Sequence, residues 1–378
     1  MRVQQRHWIA PQGWSGSPPE WAETADLVLL FASRAALAQE SLFEEIRRRH
    51  PRARLLGCST AGEISGTRVY DNSLVATAVQ FEDTRIQGAE VHIRAPADSF
   101  AAGKALAGDL PREGLVHVFM LSDGTSVNGS DLVRGMVAAL PSGVTVTGGL
   151  SGDGDRFERT LVFAHGKPTQ GAIAALGFYG ARLKVGFGSL GGWDPFGPSR
   201  IITRSEGNIL YELDGQPALA LYKRYLGDHA QGLPATALLF PLHVTGDGGQ
   251  RSFVRTIVRV DEARQSMTFA GDLPEGAKAQ LMKANFDRLV DGAHGAASTS
   301  YQALGSSAPD LAILISCVGR KLVLRQRTEE EVESVREVFG PGTVLTGFYS
   351  YGEIGPASPQ ARCELHNQTM TITTLLER

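Results

Sequence analysis

An internal repeat is the sequence feature that most constrains how this chain can fold. Near the N-terminus, the apolar run DLVLLFAS (26–33) is followed by SLFEEIRRRH, ARLLGCSTAGEIS and SLVATAVQFE. From Asp310 onward the same order recurs as DLAILISC, EEEVESVREVFG, TVLTGFYSYGEIG and TMTITTLLE. Continuous apolar runs are typical of strands that are buried on both faces. The repeat therefore predicts two copies of one strand-helix-strand-corner-strand unit.

The glycine-rich corners of the two copies match closely, for example at Gly57 and Gly347 and at Glu63 and Glu353. A weaker middle copy reads VHVFMLSDG as the first strand, SDLVRGMVAAL as the helix, VTVTGGLSGDG as the corner and TLVFAHG as the return strand. Three copies predict an α/β protein of duplicated strand-helix-strand units that form mixed sheets. The first two strands of each copy are expected to be parallel neighbours.

The segment between the middle and last copies has a different pattern. LPATALLFPLHV, SFVRTIVRVD and SMTFAGDL predict antiparallel strands, and a helix is predicted from about Pro217 to Gly227. A long amphipathic helix is predicted over 275–304. We place a domain boundary near 213–217, which gives domains at 25–215 and 216–376. Because no low-complexity linker marks this boundary, the two domains are expected to pack closely.

Composition argues against several classes of protein. The net charge of -3 gives no indication of nucleic-acid binding, which needs a clustered basic surface. Cys58, Cys317 and Cys363 are far apart and form no CxxC pair, which argues against a disulfide framework or a zinc site. Neither a signal-peptide pattern nor a long uninterrupted apolar run is present. We therefore expect a cytoplasmic protein without membrane insertion.

Catalytic fingerprints are not evident in the sequence. The glycines of GGLSGDG lack the lysine of a P-loop and the spacing of a dinucleotide-binding motif, and GxSxG does not occur. A guanidinium at Arg320 could activate the Cys317 thiol, but a cysteine at the end of an apolar strand commonly packs as a small apolar side chain. On these grounds the chain is predicted not to be an enzyme.

The matched corners are the candidate ligand site. Glycines at strand ends let backbone N–H groups approach a ligand, and clefts in α/β sheets form at the carboxyl ends of strands. If the copies face each other, polar side chains from both corners meet there, with Arg320 as an anion clamp. The predicted ligand-binding residues are Ser59, Glu63, Arg320, Tyr349, Ser350 and Glu353. The alternative is that these corners only turn the chain.

Several segments together resemble FIST-domain proteins. They include LLGCSTAGEI, GGLSGDGDRFERTLVF, TRSEGNILYELDGQPAL, FAGDLPEGAKAQLM and GFYSYGEIGP, and the resemblance runs from about Ala25 to the C-terminus through N-terminal and C-terminal FIST regions. The resemblance implies a stand-alone intracellular sensory protein that binds a small ligand and regulates a signalling partner. A haem-free sensor of the amino-acid type and a ligand-free interaction scaffold remain open alternatives.

A narrower resemblance, to the nitric-oxide-sensing haem proteins (NosP) of this family, implies a haem b cofactor and a histidine kinase partner. Haem needs one axial donor in an apolar slot. His229 follows the predicted helix stop at Gly227, and His243 lies between apolar residues in FPLHV. These two histidines are the predicted axial ligands, and the alternative for each is a structural role.

Overall fold

The computed structural model describes residues 1–17, 21–164, 166–246, 252–358 and 360–378, and three sheets within this part of the chain share one plan. In each, a helix connects two parallel strands, a return strand lies antiparallel to the first of them, and an edge strand pairs with the return strand. We call these units one, two and three. The fold is therefore the mixed α/β architecture of repeated units that the sequence predicts.

Unit one is formed by residues 2–80. Its parallel pair places Ala32 beside Ser59. Its elements are β1 (Arg2–Ile9), β2 (Gly13–Trp14), β3 (Leu27–Ala32), α1 (Arg34–Leu37), α2 (Glu40–Arg49), β4 (Arg54–Ser59), β5 (Glu63–Ser65), β6 (Arg68–Tyr70) and β7 (Ser73–Gln80).

Unit two repeats this plan with an additional helix before its first inner strand. Its elements are β8 (Arg85–His92), α3 (Ser99–Asp109), β9 (Leu115–Ser122), α4 (Gly129–Ala139), β10 (Thr145–Leu150), β11 (Val162–Ala164) and β12 (Ala172–Tyr179). The prediction that TLVFAHG is the return strand is wrong, because β12 pairs with β9 in that position. Strand β11 leaves its own unit and pairs with β4, and a local apolar pattern does not specify that partner.

Unit three begins before the last repeat and is interrupted by an inserted sheet. It begins with the edge strand β13 (Leu183–Leu190). The strands of the inserted sheet are β14 (Trp193–Glu206), β15 (Ile209–Leu213), β16 (Gln216–Pro217), β17 (Leu242–Thr245), β18 (Ser252–Arg255), β19 (Ile257–Asp261), β20 (Ser266–Phe269) and β21 (Lys278–Ala284). The remaining elements of unit three are α6 (Phe286–Ala303), β22 (Leu311–Cys317), α7 (Val318–Leu324), α8 (Thr328–Phe339), β23 (Val344–Ser350), β24 (Gly352–Pro356), β25 (Cys363–His366) and β26 (Met370–Glu377).

The inserted sheet carries helix α5 (Ala218–Leu226), which begins after Pro217 and ends at Gly227 as predicted. The long helix predicted over 275–304 is wrong in its first third, where β21 pairs with both β14 and β17. Helix α6 then begins after Asn285, whose side chain accepts a hydrogen bond from Arg288 N. The strand predicted at LPATALLFPLHV is confined to β17, because Ala235–Leu239 form a 3-10 helix.

In each unit, a short strand at or after the corner pairs with a strand of a different unit. Strand β5 of unit one pairs with β23 of unit three, β24 of unit three pairs with β10 of unit two, and β11 of unit two pairs with β4 of unit one. The three sheets are thereby linked in a closed cycle with an approximate three-fold arrangement. The two matched repeats, as well as the weaker middle one, have the same strand connectivity.

The inner faces of the three sheets pack on one shared core. It includes Phe31, Phe119, Phe178 and Phe348, and the Phe31 and Phe348 rings lie 4.7 Å apart. Burying a side chain of this size contributes roughly 1.5–3 kcal/mol, so this core is a large source of stability. Helix pairs α3/α4 and α6/α8 contact each other on the outer sides of units two and three. None of the described helices combines the length and the apolar character needed to cross a membrane.

Candidate functional site

The three glycine-rich corners meet at the centre of the molecule through equivalent backbone hydrogen bonds. Gly152 N donates to Ser59 O at 2.9 Å, Ala61 N donates to Tyr349 O at 2.8 Å, and Tyr351 N donates to Leu150 O at 3.2 Å. The corners therefore cluster, as expected from copies that face each other. These three hydrogen bonds bring the backbones of the corners into direct contact with one another.

Glu63 and Glu353 occupy equivalent positions in two of these corners, and both are buried. The carboxylate of Glu353 accepts hydrogen bonds from Ser350 Oγ at 2.6 Å and from Thr369 N at 3.1 Å. Glu63 accepts from the Thr60 hydroxyl and from Ser73 N at 3.1 Å. Burial raises the pKa of Glu63 to about 7 and that of Glu353 to about 8, although these hydrogen bonds oppose the rise.

Arg320 and Tyr349 share the buried carboxylate of Glu331. Arg320 Nη2 lies 2.8 Å from Glu331 Oε2, and the Tyr349 hydroxyl donates to Glu331 Oε1 at 2.6 Å. The guanidinium also donates to the carbonyl oxygens of Gly191 and Leu289, each at 2.7 Å. These contacts satisfy a fully buried cation within the protein, as burial of a charge requires.

All six residues predicted to bind ligand are buried, and none of them lines either of the two large grooves in the described part of the chain. Ser59 is held by its own contacts, since its hydroxyl donates to Gly152 O at 2.8 Å. A ligand role for these six residues remains a prediction.

The first groove, which we call the interface groove, lies between unit two and the inserted sheet and has a volume of about 1250 Å³. Its lining is largely apolar. The residues used below are Val133, Arg134, Val137, Arg255, Asp272, Leu273 and Glu275.

Arg255 is the charged residue of the interface groove that is most deeply buried, with a relative exposure of 6%. Its Nε donates to Asp272 O at 2.9 Å and its Nη1 to Leu365 O at 3.2 Å, while its guanidinium lies 4.1 Å from the Phe253 ring. Among the described residues, no carboxylate lies within salt-bridge distance of this guanidinium. Burial lowers the pKa of Arg255 to about 10, although the negative charges of Asp272 and Glu364 act on it and raise its pKa, so the side chain stays cationic at neutral pH.

Asp272 connects the two walls of the interface groove. Its carboxylate accepts a hydrogen bond from Asn128 Nδ2 at 2.9 Å, and its backbone N–H donates to Ser130 Oγ at 3.3 Å. Asn128 is also the N-cap of α4, where its side chain accepts from Ser130 N and Asp131 N. The start of α4 is thus tied to the inserted sheet.

The second groove, which we call the arginine groove, has a volume of about 920 Å³ and lies between α1/α2 and residues 156–161 and 166–168. Two carboxylates, Glu40 and Glu44, also line it. Its cationic lining residues are Arg34, Arg47, Arg156, Arg159 and Lys167.

Sequence reasoning missed both grooves because their residues come together only in the fold. Arg255 reads as an ordinary charge in a predicted strand, and Arg34 is far from Arg156 and Arg159 along the chain. The one sequence pattern that could have indicated the second groove described above is the segment GGLSGDGDRFER, which carries two arginines three residues apart after a glycine corner.

The two predicted haem ligands lie in the inserted sheet region. His229 is exposed, and its ring centroid is 5.2 Å from that of Phe240. His243 on β17 is half-buried, and burial lowers its pKa. Within the described residues neither imidazole lines one of the two large grooves. An axial role for either histidine remains a prediction, and it fits the exposed His229 less well than the half-buried His243.

Cys317 and His117, which are possible nucleophilic or metal-binding residues, are both buried. Burial raises the pKa of the Cys317 thiol well above its ordinary value, which opposes formation of a reactive thiolate. His117 is buried between the Thr145 hydroxyl at 2.7 Å and the Thr147 hydroxyl at 3.0 Å. The described residues contain no group of three or more His, Cys, Asp or Glu side chains placed to hold a metal ion.

Similar proteins include an uncharacterized protein of Methanocaldococcus jannaschii, which is 23% identical over 280 residues. The match covers 66% of this chain and 52% of the relative, so the chain spans about half the length of that curated protein.

Two solved structures of cyanuric acid hydrolase, one of them from A. caulinodans, also resemble the chain. Each match covers 100% of this chain and 99% of the hydrolase at 8% identity, with TM-scores of 0.39 and 0.32. This finding contradicts the prediction that the chain is not an enzyme, which rested on missing motifs alone, and that prediction is withdrawn. At these TM-scores the likeness supports no particular reaction.

The family comparison covers most of the chain. The FIST N domain matches residues 26–216, and the FIST C domain matches residues 218–356. The two matches follow each other in the order that the sequence resemblance predicts. The chain therefore belongs to the FIST family, whose domains are sensory domains of signal transduction that bind small ligands.

Proposed function

We propose that this protein senses a small organic acid of the amino-acid class, which binds in the interface groove. The observation that carries the proposal is the buried guanidinium of Arg255, which lines a large groove without an ion-pair partner among the described residues. A buried arginine is a strong binding group for a carboxylate, because its planar fork donates two parallel hydrogen bonds.

The other lining residues favour an amino acid over a simple anion. The carboxylates of Asp272 and Glu275 line the same groove. Arg134 Nη2 lies 3.6 Å from Asp272 Oδ2, so Glu275 is the more available carboxylate for an ammonium group. Val133, Val137 and Leu273 provide apolar surface for a side chain. A ligand with a carboxylate, an ammonium group and an apolar side chain would contact the guanidinium, the carboxylates and the apolar residues of the groove.

The position of the groove provides a route from ligand binding to signalling. Helix α4 belongs to the part of the chain matched by FIST N, whereas Arg255 and Asp272 on the opposite side belong to the part matched by FIST C. A ligand that contacts both walls stabilises one arrangement of α4 against the inserted sheet. A signalling partner that binds across this boundary would then respond to occupancy.

The test is a thermal-shift screen of the twenty standard amino acids, followed by calorimetry with the best one. We expect one binding site per chain, with affinity lost in Val137→Glu, which places a larger, charged side chain in the groove. Val137 is 36% exposed, so this change should leave the fold intact. Ile201→Glu is the matched control, because Ile201 is an exposed apolar residue that does not line the groove.

Arg255→Lys gives a second test, since it keeps the positive charge and removes the bidentate fork. A reduction in affinity of about tenfold or more is expected. If no amino acid binds, or if binding is unchanged in Val137→Glu and Arg255→Lys, the proposal is wrong and a ligand-free scaffold becomes the better explanation.

The finer predictions from the resemblance are a histidine kinase partner, a haem b cofactor and nitric oxide as the signal. Co-purification and kinase autophosphorylation assays with and without this protein test the partner. Haem titration of the His243→Ala and His229→Ala variants tests the cofactor. Of the two, His243 is the better candidate because it is half-buried. Loss of the Soret band in His243→Ala alone would support it, and equal spectra would reject both ligands.

A further inference from the structure

The arginine groove is rich in cationic side chains, and it shares no lining residue with the interface groove. Five cationic side chains and two carboxylates line it. One of these carboxylates, Glu40, is already paired with Lys167 at the exposed rim. The lining residues themselves therefore carry more positive than negative charge.

A buried carboxylate holds two of the arginines in place. Asp153 lies on the middle corner with a fully buried side chain. Its Oδ2 is 2.9 Å from Arg34 Nη1, and its Oδ1 accepts from Arg156 Nε at 3.1 Å. Glu158 Oε2 also lies 3.5 Å from Arg34 Nη2 at the surface. The five cations of the groove therefore outnumber the four carboxylates Glu40, Glu44, Asp153 and Glu158 by one charge. Fixing the guanidiniums in advance reduces the entropy that a ligand must offset.

The other two arginines retain unused donors. Arg47 Nη2 donates to Gly166 O at 3.2 Å, and its guanidinium lies 5.2 Å from the Phe43 ring. The backbone N–H of Arg159 donates to Asp153 Oδ2 at 3.4 Å, while its side chain forms no ion pair or hydrogen bond with the described residues. Phe43 and Leu161 add apolar surface to the same groove. These features favour a ligand with several negative oxygens joined to an organic group.

We propose that the arginine groove binds a small metabolite that carries a diphosphate or triphosphate group. Guanidinium forks match the geometry of phosphate oxygens, and each pair supplies two charge-assisted hydrogen bonds. Cations lie on both walls, on α1/α2 at one side and at Arg156, Arg159 and Lys167 at the other, and this arrangement suits a ligand with more than one phosphate. This site is separate from the proposed amino-acid site, so either can be present without the other.

Calorimetric titration of the full chain with inorganic pyrophosphate, and in parallel with ADP, tests the proposal. We expect one site per chain, with binding that weakens as salt increases. Arg159→Ala should lower the affinity for pyrophosphate about tenfold or more. Arg48→Ala is the matched control, because Arg48 is exposed on the same helix as Arg47 but does not line the groove.

Asp153→Asn provides a second measurement that separates positioning from folding. The variant should keep its circular dichroism spectrum and bind pyrophosphate more weakly, because Arg34 and Arg156 lose their shared anchor. Three results would each overturn the proposal: neither pyrophosphate nor ADP binds, Arg159→Ala binds pyrophosphate as tightly as the parent chain, or a single-stranded oligonucleotide binds and pyrophosphate does not.

Discussion

Units one and three end their first inner strand in the same way, yet the two strand ends have opposite environments. Ser33 N donates to Ser73 O at 2.9 Å in unit one, and Cys317 N donates to Thr369 O at 3.1 Å in unit three. Beyond this equivalent bond, unit one opens into the arginine groove. Unit three continues into α7, where Arg320 is fully buried.

The elements that lie over each strand end explain the difference. In unit three, the carbonyl oxygens of Gly191 and Leu289 and the carboxylate of Glu331 surround the Arg320 guanidinium. Leu289 belongs to α6, for which unit one has no counterpart: between β1 and β3, its described residues contain only β2 and a 3-10 helix at Ala22–Thr24. A repeated backbone therefore does not determine whether a polar side chain is structural or accessible.

The largest expected effect comes from removing the acid that pairs with the arginines at each of the two strand ends. Glu331→Ala should lower the free energy of unfolding by about 3–5 kcal/mol, because it leaves Arg320 buried without its partner. Asp153→Ala should cost less, since Arg34 and Arg156 are 31% and 46% exposed and can be hydrated. Urea denaturation measures both, and equal losses would remove the distinction between the two strand ends.

Units one and three share a buried glutamate at their corners, and this glutamate should make the stability of the protein depend on pH. The folded-state pKa values of Glu63 and Glu353, about 7 and about 8, lie above the ordinary value of 4.5. The folded state therefore binds more protons, and stability should fall as pH rises from about 5 through these values.

Glu63→Gln and Glu353→Gln should each reduce this loss and raise stability at pH 9 by about 1–3 kcal/mol. The window should extend about one pH unit further for Glu353. Denaturation at pH 5, 7 and 9 is the measurement. Variants with the same pH slope as the parent chain would show that these carboxyl groups titrate at ordinary values in the folded protein.

The smallest effect on stability is expected for Ser33→Cys, which places a thiol at the open equivalent of Cys317. The serine caps α1 by accepting a hydrogen bond from Ala36 N, so the change should cost about 1 kcal/mol. The new thiol lines the arginine groove and should react with a thiol reagent faster than Cys317. Labelling followed by peptide mass analysis distinguishes the sites, and equal rates would contradict the comparison.

The sequence by itself determined the repeated unit, because its apolar runs and glycine corners are local features. Helix α8, which ends at Gly340, and helix α5, which lies between Pro217 and Gly227, follow from the same kind of local signal. The clustering of corners also follows, since copies of one unit that face each other bring equivalent loops together. The domain boundary at 215–216 and the ligand roles of the corner residues remain predictions.

Only the tertiary structure decided which strands became partners and which charges became buried. Strand β11 pairs with β4 of another unit, and β21 forms a strand where an amphipathic pattern predicts a helix. Arg320 reads as a free cation in sequence, and Arg34 and Arg159 read as unrelated charges. Periodicity reports how a segment can bury its apolar side chains, but the partner strand, the covering helix and the nearest carboxylate all come from distant parts of the chain.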